Sequence, residues 1–430
     1  MIALVLGATL LACQPAVPED ALPRPTPAQL AWHDAEVGMF IHFAPNTWQD
    51  REYDNLSTPL DHINPSHLDT DQWAQVAHDM GATYIVFVAK HAGGFCWWQT
   101  QTTDYSVAHT PWKNGKGDVM ADLARSCAAK GLKLGVYLSP QDIKHGAAVG
   151  GKCATPEAQA AYTAMFRAQL TEVLSNYGSM FEVWFDGSLV FDVGDILSAH
   201  APNAIVFQGP QANIRWVGNE DGVAPDPCWN GARFDPKTWG TLTADDAIPG
   251  GDRWLPSECD ARIRANWFWN THNEKTLKSV PDLVRMYEQS VGRGAVLLLN
   301  HTPDTTGRIP KADHDRAREF GRAIASRFGT AITDTSGRGT VIEAMFSSPR
   351  TVGDITIMED ITLGERVRTY RLETLSDGTW TPCASGTAIG HKRIHPIPPT
   401  RCEGVRLVVT QSVGEPVIRR LAAQAAGSAR

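Results

Sequence analysis

Two carboxyl groups that face each other across a pocket can divide nucleophile and acid/base work between them. The chain offers one clear candidate for the first of them. In Phe181-Glu182-Val183-Trp184-Phe185-Asp186-Gly187 an apolar and aromatic run stops at an acid followed by glycine. This reads as a largely buried strand that delivers one acid to its C-terminal tip, where the apolar wall ends and a site begins. Asp186 is therefore the expected nucleophile; the bland alternative is an aspartate that only caps the following turn. Two residues compete for the second carboxylate. Glu220 lies in Ile214-Arg215-Trp216-Val217-Gly218-Asn219-Glu220-Asp221-Gly222, a loop with the reach of a proton donor. Glu258, in Pro256-Ser257-Glu258-Cys259-Asp260, has what looks like a strand-end position. The residue pattern alone leaves both open.

The elements that must hold these acids alternate. Apolar strands are expected over Val37–Ala44, Thr83–Lys90, Lys133–Ser139, up to Asp186, over Ala204–Gln208, into Glu258, and over Ala295–Asn300. Helices are expected over Thr70–Met80, Asp118–Lys130, Pro156–Tyr177, near Asp195, over Asp282–Val291 and over Lys311–Phe328. Repeated alternation of this kind argues for a parallel sheet covered by helices. Continuous apolar runs such as Tyr84-Ile85-Val86-Phe87-Val88 imply strands buried on both faces. The span 28–329 suits a (β/α) TIM-like barrel with an irregular strand or two. An open doubly wound sheet would show a glycine-rich phosphate turn after its first strand, and His42-Phe43-Ala44-Pro45 is not one. After Gly329 the texture turns to alternating Val, Ile and Thr, so 330–421 reads as an antiparallel β-sandwich and 422–430 as a fraying tail.

In a barrel the site is built from strand C-terminal ends. These carry His42, Lys90 with His91, Tyr137 with Ser139, Trp184 with Asp186, Gln208, Glu258, and Asn300 with His301. The set is rich in hydrogen-bonding and aromatic groups, which suits a neutral polyhydroxyl ligand better than a nucleotide. A net charge of −8 without a long basic run argues against nucleic acid. The apolar stretch Met1–Ala12 ending in Leu10-Leu11-Ala12-Cys13 reads as an export signal and resembles a bacterial lipoprotein processing box. It points to a periplasmic or outer-membrane protein attached through a lipidated Cys13, with the proline-rich segment to residue 27 as a tether. In that compartment some cysteines should pair; Cys383 with Cys402 is the first expectation and Cys153 with Cys228 the second. No Cys or His spacing fits a zinc site.

The motifs together resemble the α-L-fucosidases of glycoside hydrolase family 29, from Trp32 to about Leu421. The resemblance rests on Gly38-Met39-Phe40-Ile41-His42-Phe43, Ala89-Lys90-His91, Thr103-Asp104-Tyr105-Ser106-Val107, Trp112-Lys113-Asn114-Gly115-Lys116-Gly117-Asp118, Gly135-Val136-Tyr137-Leu138-Ser139-Pro140, Val183 to Gly187, Arg215 to Gly222, and Leu297-Leu298-Leu299-Asn300. In the C-terminal part, Gly386 to Ile394 also matches. It implies a retaining exo-hydrolase of terminal α-L-fucose on oligosaccharides or glycoconjugates, in the subgroup preferring α-1,3/1,4 linkages, with no metal or organic cofactor. Asp186 matches the nucleophile and Glu220 the acid/base. The carboxyls of such a pair stand about 5–5.5 Å apart. His42, Glu52, His91, Tyr137 and Trp184 match sugar contacts; Trp267 is expected as a wall against the fucose methyl, and Glu258 stays a candidate for the binding site. Two positions depart from the family. His91-Ala92-Gly93-Gly94 lacks a second histidine and an acid, and Glu52-Tyr53 replaces a Glu-Trp pair. A glycosidase for a related sugar such as α-L-galactose, or a non-catalytic surface carbohydrate-binding protein, are the alternative readings.

Overall fold

The structure, a computed structural model, describes residues 21–426. Eight parallel strands form the main sheet: β1 (Val37–Ile41), β2 (Tyr84–Lys90), β3 (Lys133–Leu138), β4 (Met180–Trp184), β5 (Ile205–Phe207), β6 (Arg215–Trp216), β7 (Ser257–Arg262) and β8 (Val296–His301). Their order is β5-β4-β3-β2-β1-β8-β7-β6. A parallel bridge between Phe207 and Ile214 brings the two ends together and nearly closes the barrel. The sequence reading found seven of these strands. Arg215-Trp216 is expected as loop, because two residues are too short to show a period.

Helices α1 (Pro27–Ala35), α2 (Thr70–Met80), α3 (Val119–Lys130), α4 (Pro156–Asn176), α5 (Gly194–His200), α6 (Val280–Gln289) and α7 (Lys311–Phe328) surround the strands. Their starts are written in the sequence. The side chains of Asp69, Asp118, Thr155 and Ser279 accept from backbone N–H groups in the first turns of α2, α3, α4 and α6. Gly81 and Gly131 close α2 and α3 in the left-handed conformation. Among the described residues no α-helix follows β5 or β6; residues 217–256 run instead through short 3-10 turns and a two-residue hairpin.

Alternate strand residues point in opposite directions. Met39, Ile85, Phe87, Val136, Val183, Cys259 and Leu297 pack in the cluster that the surrounding helices also join. Phe40, Tyr84, Val86, Tyr137, Trp184 and Leu298 fill the barrel interior. Gly38 on β1 makes room for one of these, since a Cβ there would sit 2.2 Å from the Tyr84 ring. Trp32 of α1 closes the lower end of the interior, with Nε1 donating to Glu182 at 3.1 Å.

The C-terminal part is one six-stranded antiparallel sheet: β9 (Thr333–Arg338), β10 (Val341–Glu359), β11 (Val367–Ser376), β12 (Thr379–Gly386), β13 (Arg393–Ser412) and β14 (Val417–Ala425), in the order β9-β14-β10-β13-β11-β12. The long β10 and β13 shift register at Met345/Arg350 and again at Val352/Asp354, so the sheet wraps round its own core of Ile355, Val405, Leu407 and Leu421 as a sandwich. Two expectations are corrected here. The last strand does not end at Leu421: Ala422 and Ala423 are buried and paired, and β14 runs to Ala425. All seven described cysteines are free, so neither expected disulfide is present; Cys383 and Cys402 join the sandwich core as thiols. Met1–Cys13 and residues 427–430 lie outside the described residues. Of the expected tether, Leu22 is already buried and Thr26 caps α1 through a capping box with Gln29.

Candidate active site

The C-terminal ends of the strands surround a pocket of about 340 Å³, at the lower end of the range for small-molecule sites. Asp186 sits just past the end of β4. Its loop is held by Gln208, whose Oε1 accepts from Gly187 N at 2.7 Å and Ser188 N at 3.1 Å. Tyr137 donates to Asp186 Oδ2 at 2.9 Å. Asp186 is exposed at the mouth, yet its carboxyl lies against the wall. Desolvation by that wall raises its pKa above the ordinary carboxylate value; the Tyr137 hydrogen bond offsets part of this, and the Glu220 charge adds to it.

Glu220 lines the same pocket. Its loop leaves β6 at Val217 and is tied by the Asn219 side chain, which donates to Val223 O and accepts from Asp221 N. An antiparallel bridge from Asp221 to Ala261 holds the loop against β7. Arg262 Nη2 lies 3.2 Å from Glu220 Oε2.

On the opposite wall His42 Nδ1 is 2.9 Å from Asn300 Oδ1. The Asn300 amide nitrogen donates to Trp267 O, so its Oδ1 is an acceptor and His42 Nδ1 carries the proton. His42 Nε2 then keeps a free lone pair. Burial, with His91 adding to it, holds His42 far below the ordinary imidazole value, and burial alone brings His91 down to about 4. Both rings are neutral at working pH and exchange hydrogen bonds without carrying charge. His91 Nδ1 is buried with no hydrogen-bond partner among the described residues, a group that a ligand hydroxyl would satisfy. Glu52 Oε2 accepts from Trp267 N at 3.0 Å. The Trp267 ring stands 4.9 Å from His42 and forms an apolar wall with Phe268. Tyr137 stacks between His91 and Trp184.

The pocket thus brings together Asp186, Glu220, His42, Glu52, His91, Tyr137, Trp184 and Trp267. It leaves out Glu258, and here the expectation is corrected. β7 begins at Ser257 rather than ending at Glu258, so this glutamate sits low in the barrel and is fully buried. Its Oε1 accepts from Trp184 Nε1 at 2.8 Å, beneath the pocket floor. Burial raises both Glu258 and its neighbour Glu182, and the Glu182 charge raises Glu258 further; Glu258 is the protonated member of the pair. Lys90 also turns away from the site, into a buried ion pair with Asp142 at 3.2 Å. His301 packs on Met80 Sδ.

Two charged wall residues, Asp260 and Arg262, are not among the residues expected from the sequence. Trp216 Nε1 donates to Asp260 Oδ1 at 2.5 Å. Burial, with Glu258 below it, pushes Asp260 well above the carboxylate range. The available signal was the alternation of charge with small side chains in Glu258-Cys259-Asp260-Ala261-Arg262. At the altered second-strand motif, the space beside Gly93 is taken by Asp54: a Cβ on Gly93 would lie 2.4 Å from its Oδ2. Asp54 accepts from Tyr105 at 2.6 Å and is buried.

A barrel with paired acids at its open end is a glycoside hydrolase arrangement, and comparison with known proteins agrees. The α-L-fucosidase family model matches residues 46–326. An Arabidopsis thaliana protein named alpha-L-fucosidase 1 is 32% identical over 94% of this chain and 88% of its own length. Among solved structures, a glycoside hydrolase 29 family member from an unknown rumen bacterium is 33% identical, with a TM-score of 0.85 over 95% of this chain and 78% of that one. A Ruminococcus gnavus GH29 fucosidase in complex with fucose is 26% identical, with a TM-score of 0.84 over 95% of this chain and 96% of that one. The chain belongs to the α-L-fucosidase family of glycoside hydrolases, family 29.

Proposed function

We propose that this enzyme removes terminal α-L-fucose from oligosaccharides or glycoconjugates with net retention, and that it prefers α-1,3 and α-1,4 linkages. The observation that carries the reading is the meeting of Asp186 and Glu220 in one pocket whose walls also hold neutral histidines, tyrosines and tryptophans. In the first step an Asp186 oxygen bonds to the anomeric carbon as the glycosidic C–O bond breaks. Glu220 gives its proton to the departing oxygen. In the second step Glu220 takes a proton from water, the water oxygen bonds to the same carbon, and the Asp186 ester bond breaks. His42 and His91 hydrogen-bond ring hydroxyls, and Trp267 with Phe268 faces the C6 methyl. That apolar wall favours fucose over α-L-galactose, which carries a hydroxyl there. The linkage preference rests on the likeness of the Arg215–Gly222 loop to that subgroup.

The test uses aryl α-L-fucosides. Asp186→Asn should lose turnover, and Asp186→Gly with azide should release β-L-fucosyl azide. Proton NMR of the wild-type reaction should show the α-anomer first; a β-anomer as first product would overturn retention. Comparing α-1,2-, α-1,3- and α-1,4-linked oligosaccharides checks the linkage preference. Export and lipid attachment at Cys13 remain proposals read from Met1–Cys13; mass spectrometry of the mature N-terminus checks them.

A further inference from the structure

Among the described residues, Arg262 is the one Lys or Arg side chain lining the pocket, beside four carboxyl groups, those of Glu52, Asp186, Glu220 and Asp260. Its guanidinium lies 3.2 Å from Glu220 Oε2, and its central carbon lies 5.4 Å from the Trp267 ring centroid. Among the described residues, no other hydrogen bond or ion pair holds the Glu220 side chain. Glu220 stands on a loop flanked by Gly218 and Gly222, both at positive φ, and it shares the pocket with the Asp186 carboxylate. Like charges on a pliable loop would turn this carboxylate out toward water. The bridge from Asp221 to Ala261 brings Arg262 alongside it.

We infer that Arg262 is a positioning residue for Glu220, and through it sets how strongly the enzyme depends on the leaving group. This rests on the acid/base reading of Glu220 given above. The ion pair is half open to solvent, so its contribution to fold stability is small. Its effect is on geometry and on charge that develops during reaction. As Glu220 gives its proton to the glycosidic oxygen, a negative charge grows on the carboxyl next to a fixed guanidinium. The fork of Arg262 also keeps that oxygen turned into the pocket on the side where the aglycone departs. A poor leaving group, such as a sugar hydroxyl, needs this proton. A strongly acidic phenol leaves with little help.

The test compares kcat/KM on 2-chloro-4-nitrophenyl α-L-fucoside with kcat/KM on an α-1,3/1,4-fucosylated oligosaccharide, for wild type, Arg262→Met, Arg262→Lys and Glu220→Gln. Arg262→Met should lose roughly 10- to 100-fold more on the oligosaccharide than on the activated fucoside, a share of the contribution of a general acid. Arg262→Lys should recover part of that selective loss. If Arg262→Met does not fold, Arg262→Gln keeps the stem without the charge and carries the same comparison. Equal losses on both substrates, with Glu220→Gln still selective, would assign Arg262 to packing and overturn the inference. Equal losses in Glu220→Gln would instead remove the acid/base reading on which it stands.

Discussion

Replacing Tyr137 with phenylalanine isolates one atom of the site. The ring is buried between His91 and Trp184, so a phenyl group keeps the stacking and only the hydroxyl is lost. That hydroxyl donates to Asp186 Oδ2 at 2.9 Å. A hydrogen bond to a charged group contributes about 1.5–3 kcal/mol. Asp186 opens to solvent at the pocket mouth, which screens the interaction and selects the lower end. At 1.36 kcal/mol per unit, the loss is worth about one pKa unit. The sign follows from what remains. Desolvation and the Glu220 charge both raise Asp186, and the bond that opposed them is gone. As the proposed nucleophile, Asp186 therefore stays protonated, and inactive, to a higher pH. The acidic limb of the kcat/KM profile should move up by about one unit. Rates on 2-chloro-4-nitrophenyl α-L-fucoside from about pH 4 to about pH 8 would show it. An acidic limb that stays in place, or moves down, would refute the reasoning.

Three further outcomes follow from other residues. Glu258→Leu should lower activity on activated and unactivated fucosides alike, because it removes the acceptor of Trp184 Nε1 below the floor and does not act on the leaving group; a loss confined to unactivated substrates in that leaving-group comparison would return Glu258 to the acid/base role. Glu359 is raised to about 8 by burial while accepting from Arg366 N and Val367 N, so its folded pKa exceeds its unfolded one and the stability it lends is lost as pH rises from about 4.5 through about 8. Glu359→Gln should therefore gain in Tm relative to wild type between pH 5 and pH 8 in thermal melts, and a constant difference across that range would contradict the assignment. Gly93→Ala should cost about 1–3 kcal/mol in denaturant unfolding through collision with Asp54, and an unchanged midpoint would show that Asp54 can move aside.

The strand that ends at Asp186 was readable because a continuous apolar run stops there at Asp-Gly. Helix starts were readable from Asp, Thr and Ser caps, and the change of texture at Gly329 from the switch to period two. β6 was not readable, since two residues carry no periodicity and the strand they pair with, at Ser257 and Glu258, lies far along the chain. Glu258 was misplaced for a related reason. The segment Ser257–Arg262 is polar enough to read as a strand terminus, although it is a whole strand. Its charged residues climb the inside of the barrel in steps of two, from Glu258 beneath Trp184 to Asp260 beside Trp216 and Arg262 beside Glu220. Pairing of the cysteines was expected from an oxidising compartment, whereas side-chain packing uses the described ones as small apolar groups.

The tryptophan of α1 that stoppers the lower end of the barrel also fixes the direction in which the molecule can be attached. Pro27, the first residue of that helix, stands at the end opposite the pocket, where Gln29 donates to Asn213 O and Trp254 O just ahead of β6 and β7. Coupling the protein to a bead, a fusion partner or a lipid through that end would leave the opening facing outward, free to meet bulky branched glycans. Coupling through the β3–α4 or β4–α5 loops would turn it toward the support.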